Sequence, residues 1–277
     1  MRFLIWISIF FCIECKAQSA PELLQYADYS YKNNNYNASV KNYLRLLFFD
    51  KEKYGKQCYS KIANSYYKLK DYDQAINYFD LAYNTADADS AKQEATFCKA
   101  LCFMMQKNYD YALMEIYALP DSTTKANQFR KKLYEGSIFF MKEDYEKAKI
   151  ILQNMYPKSE VYKKNFDELY QLFLHENKFS VRRAKIMSYF LPGLGQAYAG
   201  DVKNSINSFL LTAGFVTLYL TVATTVSPIE AIIGIGPWFQ RYYQGGVLHA
   251  GIIAQKKKER IKNKFYTAIV ECINNGH

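Results

Sequence analysis

The chain has 277 residues, half of them apolar, and a mean hydropathy of −0.28, so it can hold one large domain or two and is not apolar throughout. With 26 tyrosines and 19 phenylalanines against 12 glycines and 6 prolines, collagen-like, low-complexity and disordered chains are excluded, and an all-α protein packed through aromatic rings is predicted. The formal net charge of +10 is uneven: residues 19–180 carry 23 Lys and Arg against 21 Asp and Glu, whereas residues 181–277 carry 11 against 4. These basic residues flank long uncharged runs, which points to a membrane interface and lipid contacts and not to a nucleic-acid partner.

Residues 1–18, MRFLIWISIFFCIECKAQ, begin with Arg2, continue with an apolar run from Phe3 to Ile13, and place small residues at the −3 and −1 positions of a cut after Ala17. This layout predicts a secretory signal peptide, and the run is too short for a permanent span. Its Lys-Ala-Gln ending resembles leaders common in the Bacteroidota. Cys12 and Cys15 would leave with it. Cys58, Cys98, Cys102 and Cys272 then remain, with no CxxC pair. Cys98 and Cys102, four apart on a helix, are expected to be buried small apolar residues and not a redox pair. The histidines are scattered at 175, 249 and 277, so neither a metal nor another cofactor is expected.

From residue 20 a pattern recurs: Tyr36-Ser39-Tyr43, Tyr72-Ala75-Phe79, Tyr109-Ala112-Ile116 and Tyr145-Ala148-Leu152. The tyrosines are 36, 37 and 36 residues apart, a period that predicts stacked helix pairs. Ahead of each lies a second helical stretch with a small residue, Ala27, Ala63, Ala100 or Gly136, that lets two helices approach closely. Polar turns at Asn33-Asn34-Asn35, Lys70-Asp71 and Glu143-Asp144 separate the helices of a pair. At YSKIANSYYKLKDYDQAINYFDLAY (59–83) the chain resembles tetratricopeptide repeats, and the resemblance covers residues 19–157 as four pairs. Ser39 departs from it, standing where Ala is usual, and looser packing of the first pair is expected.

That resemblance implies a concave groove lined by the first helix of each pair. By register its residues are Tyr31, Lys32, Asn64, Tyr67, Lys68, Phe97, Leu101, Met104, Met105, Ser137, Phe140 and Met141. The three methionines suit an adaptable site for a protein or peptide client. Residues 158–181, with Val161, Phe166, Leu169, Tyr170, Phe173 and Leu174 at helical spacing, are expected to cap the array; whether this helix or a client fills the apolar half of the groove stays open.

After Arg182, Arg183 and Lys185, the uncharged segment 186–200 (IMSYFLPGLGQAYAG) is short for a span, and Pro192, Gly193 and Gly195 would break a helix in its middle. An interfacial or re-entrant path is predicted. Uncharged residues 204–229 are long enough to cross a bilayer, and a second apolar stretch, 231–254, carries Arg241 and His249. Spans at about 204–227 and 231–254 are expected. LPGLGQAYAG (191–200) resembles the Pro-Gly-x-Gly-Gln-x-Tyr-x-Gly signature of small bacterial two-helix membrane modules, here carried by Pro192, Gly193, Gly195, Gln196, Tyr198 and Gly200. The resemblance implies membrane residence and no particular chemistry.

Arg241 sits among Trp238, Tyr242 and Tyr243, which favours snorkelling to an interface over an intramembrane role. Residues 256–277 form a basic helix with one apolar stripe, Ile261, Phe265, Ile269 and Ile273, expected to lie either on anionic lipid or on the protein itself. A periplasmic repeat domain followed by two spans would put both basic flanks outside, against the positive-inside bias.

Together these readings predict an all-α protein, a helical solenoid followed by a transmembrane helical hairpin and an amphipathic C-terminal helix, held in the inner membrane with its repeats in the periplasm. The expected function is a scaffold that binds protein or peptide partners and assists export, insertion or assembly of envelope proteins. The alternative is a small-solute transport or channel-like oligomer centred on Arg241, Glu230 and His249. No enzymatic constellation is legible.

Overall fold

A computed structural model describes residues 19–120 and 124–275. The expected signal peptide, with Cys12 and Cys15, lies outside the described residues, as does the end of the basic tail at 276–277. All regular structure among the described residues is helical, in two units that divide between Met155 and Tyr156.

The first unit holds α1 (Ala20–Lys32), α2 (Tyr36–Phe49), α3 (Lys51–Lys68), α4 (Tyr72–Thr85), α5 (Asp89–Met105), α6 (Tyr109–Ala118), α7 (Lys125–Met141) and α8 (Tyr145–Gln153). Each packs on the helices before and after it in the chain. The four repeat tyrosines are each the first residue of an even-numbered helix. The small residue three positions on (Ser39, Ala75, Ala112, Ala148) and the large one seven positions on (Tyr43, Phe79, Ile116, Leu152) are buried in every copy. So are Ala27, Ala63, Ala100 and Gly136 on the partner helices.

Ser39 does not loosen the first pair: it is fully buried, with Oγ 3.4 Å from Ser65 Oγ. Gly136 is needed at its position, because a Cβ there would stand 2.4 Å from Leu152 Cδ2. Full burial of a Leu, Ile or Phe side chain contributes about 1.5–3 kcal/mol, so these inter-helix seams hold the unit together.

The turns inside the pairs repeat as closely as the packing does. Asn34, Lys70, Lys107 and Glu143, each two residues before a repeat tyrosine, have φ of 60°, 64°, 63° and 66°. The residue after each donates its backbone N–H to a carbonyl five positions back, Ser30, Tyr66, Phe103 or Phe139, at 2.9–3.0 Å. This left-handed closure satisfies carbonyls orphaned at the helix end. Asn35, Asp71 and Asp144 then cap the next helix by accepting from the backbone N–H three positions on. Polar bonds link successive pairs: Lys61 to Asp28 at 2.6 Å, Gln106 to Asp73 at 2.7 Å and Lys142 to Asp110 at 2.5 Å.

The second unit holds α9 (Glu160–Glu176), α10 (Val181–Phe190), α11 (Leu194–Tyr198), α12 (Val202–Thr225) and α13 (Pro228–Asn274). The helix within 158–181 buries Tyr162, Phe166, Tyr170 and Phe173, while Val161 is exposed. Its apolar face packs on the C-terminal half of α13, where Phe173 meets Phe265 edge-on at 5.4 Å and Ile269 and Ile273 are buried. Of the two expectations for the basic tail, its apolar stripe is therefore covered by protein.

The tail is not a separate element: the second apolar stretch and residues 256–274 form one helix of 47 residues, with Pro237 inside it. Residues 252–274 contain neither Gly nor Pro, so nothing interrupts the helix there. Among the described residues one helix, Val202–Thr225, is long and apolar enough to cross a membrane. Its 24 residues extend about 36 Å, enough for a hydrocarbon core of about 30 Å. The expected second span shares its helix with Arg241, His249 and the basic run.

Candidate functional site

The sequence directs attention to three groups among the described residues. The first is the expected groove. Tyr31, Asn64, Tyr67, Leu101, Met104 and Met141 are half-buried, and Lys32, Lys68 and Met105 are exposed. Lys68 lies over the Tyr67 ring at 6.0 Å, and Asn64 turns its amide to the Ser60 carbonyl of its own helix at 2.8 Å.

Phe97, Ser137 and Phe140 are buried and belong to the core instead. Phe97 is covered by the next helix pair, with Tyr134 edge-on at 5.3 Å and the Arg130 guanidinium 4.2 Å from its centroid. Phe140 is covered by Tyr145 at 5.4 Å. A first helix in this array faces partners on two sides, so one of its apolar faces is never available to a groove.

A cavity of about 790 Å³ lies elsewhere in the first unit and shares none of the expected groove residues. Its wall carries Lys99, bonded to Asp80 at 2.7 Å and to Glu115 at 2.9 Å, so α4, α5 and α6 meet in one ionic triad. Burial opposes the Lys99 charge, but the two carboxylates outweigh it and raise its pKa. Cys98 and Cys102 are on α5 and in no disulfide; Cys102 is buried as expected, whereas Cys98 is half-buried and its thiol donates to Glu94 at 3.5 Å. Both are pushed up to about 12, chiefly by burial, so they remain protonated and poorly nucleophilic at neutral pH.

The second group is the signature at 191–200. Helix α10 ends at Phe190, and the chain turns through Gly193 at φ +93° into the single turn of α11. A Cβ at Gly193 would lie 2.4 Å from the Ser205 carbonyl oxygen, and one at Gly195 would lie 2.0 Å from that of Ala184. Gln196 is buried. Its Oε1 accepts from Ser188 Oγ at 2.9 Å, its Nε2 donates to the Gly246 carbonyl at 3.0 Å, and the Gly195 N–H donates to Ser188 Oγ at 3.0 Å.

Tyr198 stacks on Phe179 with centroids 4.7 Å apart and accepts from the Ser180 N–H at 3.4 Å. Pro192 is half-buried beside the break, and Gly200 reverses the chain at φ +89° before Asp201 caps α12. The motif thus joins α10, α12 and α13 at one point. The Gln196 amide and the Ser188 hydroxyl bond within this joint.

The third group is Arg241 with Glu230 and His249. All three are exposed on α13 and are not brought together into one cluster. Tyr242 stacks on Phe215 of α12 at 5.1 Å, and Tyr243 donates from its hydroxyl to the Tyr189 carbonyl. Sequence reasoning placed these rings in an aromatic belt. The structure gives them inter-helix contacts, which a local pattern does not reveal because the partners lie 27 and 54 residues away.

The described residues define an all-helical protein with a membrane-capable helix in its second unit. Its sequence matches no protein-family model and no curated protein at a significant level.

Proposed function

We propose that this chain is a membrane-anchored scaffold of the cell envelope, a tetratricopeptide-like solenoid that binds a protein or peptide client and is held by an α12–α13 hairpin. The observation that carries the reading is the repetition, in register, of three features at one period: the buried small residue of the first helix, the left-handed closing residue, and the tyrosine that starts the second helix. Stacked units of this kind bury a continuous core and leave a long surface for recognition without a catalytic group. Helix α12, with 24 residues of which Lys203 alone is charged and none is buried, supports the membrane anchor. The recognition surface is the row Tyr31, Tyr67, Leu101, Met104, Met105 and Met141, whose aromatic and thioether side chains adapt to apolar client segments. In this reading the repeats face the periplasm and the client is an exported envelope protein.

The test combines placement and contact. Asp87 is exposed and suits single-cysteine labelling in a background with Cys58, Cys98, Cys102 and Cys272 replaced by Ser. With an impermeant maleimide on intact cells, Asp87→Cys should label; failure to label until lysis sinks the periplasmic assignment. A photo-reactive phenylalanine analogue at Met104 should form a discrete adduct that the same analogue at exposed Tyr111, on α6, does not. Equal adducts at both positions, or none at Met104, sink the groove assignment.

A further inference from the structure

The second unit contains a basic cavity that the anchoring role does not require. It has a volume of about 760 Å³ and lies where the Gly200–Asp201 turn, the first residues of α12 and the 249–264 segment of α13 meet. Lys203, Lys256, Lys257, Arg260 and Lys264 line it together with His249, against two carboxylates, Glu176 and Asp201. Asp201 is already engaged as the cap of α12, accepting from the Asn204 backbone N–H at 3.0 Å and from its Nδ2 at 2.7 Å. Among the described residues none of the five cations forms an ion pair, whereas the first unit repeatedly matches its lysines to carboxylates on neighbouring helices.

Two features make this more than a solvated run of lysines. Lys257 is fixed: its ammonium lies 4.6 Å from the centre of the Phe179 ring, which is itself stacked on Tyr198 of the glycine-rich signature. The apolar stripe of the same helix is buried at Phe265, Ile269 and Ile273, so the helix cannot sink that face into lipid. Its basic face is what remains to meet a ligand. The cavity also opens at the N-terminal end of α12, whose dipole adds partial positive charge.

A concave group of cations at the foot of an apolar helix suits a phosphate at headgroup depth. We propose that this cavity binds the phosphate of an anionic phospholipid headgroup, with Lys256 and Arg260 as the principal contacts and Lys257 as a pre-positioned charge. The proposal rests on the reading that α12 crosses a bilayer.

The test uses the full chain purified in zwitterionic micelles and titrated by calorimetry with short-chain phosphatidylglycerol, short-chain phosphatidylcholine and inorganic phosphate. The wild type should bind phosphatidylglycerol and neither of the other two at comparable concentration. The pair Lys256→Gln with Arg260→Gln should weaken that binding ~30-fold. Arg182→Gln with Arg183→Gln, an equal charge change on exposed α10 residues outside the cavity, should leave it within about twofold.

Equal losses in both double variants would show diffuse electrostatics and overturn the site. Inorganic phosphate binding as tightly as phosphatidylglycerol would overturn the lipid assignment. Alkaline extraction of cell membranes separates the two levels. Release of the protein removes the spanning reading and the lipid assignment with it. Retention in membranes without headgroup selectivity overturns the cavity proposal alone.

Discussion

Gln196 offers the sharpest test of how the second unit is held together. Its side chain is 1% exposed and makes two hydrogen bonds, one from Ser188 and one to the Gly246 carbonyl on a helix 50 residues away in the chain. Gln196→Met keeps the shape and removes both bonds, at about 1 kcal/mol each, for a loss of about 2 kcal/mol. Gln196→Glu keeps the shape too, but replaces the Nε2 donor by an oxygen aimed at the Gly246 carbonyl. That oxygen must stay protonated without solvent or remain a buried unpaired charge, and a loss of about 4 kcal/mol is expected. For a unit of this size 1 kcal/mol corresponds to about 3–6 °C, so the Met variant should melt about 6–12 °C below wild type and the Glu variant lower still.

The assay is thermal unfolding of the full chain in micelles followed by fluorescence of Trp238 on α13, a residue that shares the sequence only with Trp6. A fall of less than about 2 °C for Met, or a Glu variant as stable as the Met variant, would refute the claim that these bonds lock the helices.

Four further outcomes follow from the geometry. Gly195→Ala should prevent the second unit from folding, because the new Cβ meets backbone 2.0 Å away, while Gly214→Ala, with nothing within 4 Å, should raise the same Trp238 melting temperature slightly. Lys107→Gly should stabilise the first unit in urea by about 0.5–1 kcal/mol, since relief of a left-handed residue exceeds the added freedom of the unfolded chain, and a loss would argue against the φ of 63°.

Asp28 is pushed up by burial but held below the usual carboxylate range by Lys61 and Tyr43, so it contributes stability above its unfolded value of 3.8 that disappears as pH falls through the folded one. Asp28→Asn should therefore cost about 1–3 kcal/mol in urea unfolding at pH 7, and the difference from wild type should shrink as the pH falls below 3.8. Cys98 and Cys102, both raised to about 12, should alkylate far more slowly at pH 8 in the folded protein than in urea; labelling of the native chain as fast as in urea would contradict the burial of Cys102 and the Glu94 contact of Cys98.

The parts of the fold readable in the sequence are those set by short-range periodicity. The tyrosine spacing located the start of the second helix in each pair, and the small residues at 27, 63, 100 and 136 marked the close contacts, because both patterns complete themselves within 20 residues. Left-handed turns at Lys70 and Glu143 were visible only as polar breaks, since neither is the glycine that usually signals that conformation.

The groove was read less well because a helical pattern shows which face is apolar but not how many neighbours claim it. Phe97 and Phe140 were claimed by Tyr134 and Tyr145. The stripe 261-265-269-273 was plain, yet its partner, α9, lies about 90 residues earlier, and only tertiary packing could choose between protein and lipid. For the same reason Gln196 read only as one residue of the 191–200 signature, and its bond to Gly246 could not be anticipated.

The unbroken run from Trp238 to Asn274 gives α13 a mechanical property. It is a single rod of about 55 Å, stiffened at one end by stacking on α12 and clamped at the other by Phe173 of α9. Its two ends cannot reorient independently: a tilt of about 5° at the aromatic end displaces the far end by about 5 Å, a motion geared by rod length alone. A change in the angle of α12 against α13 is thereby converted into a shift of the Phe265 contact.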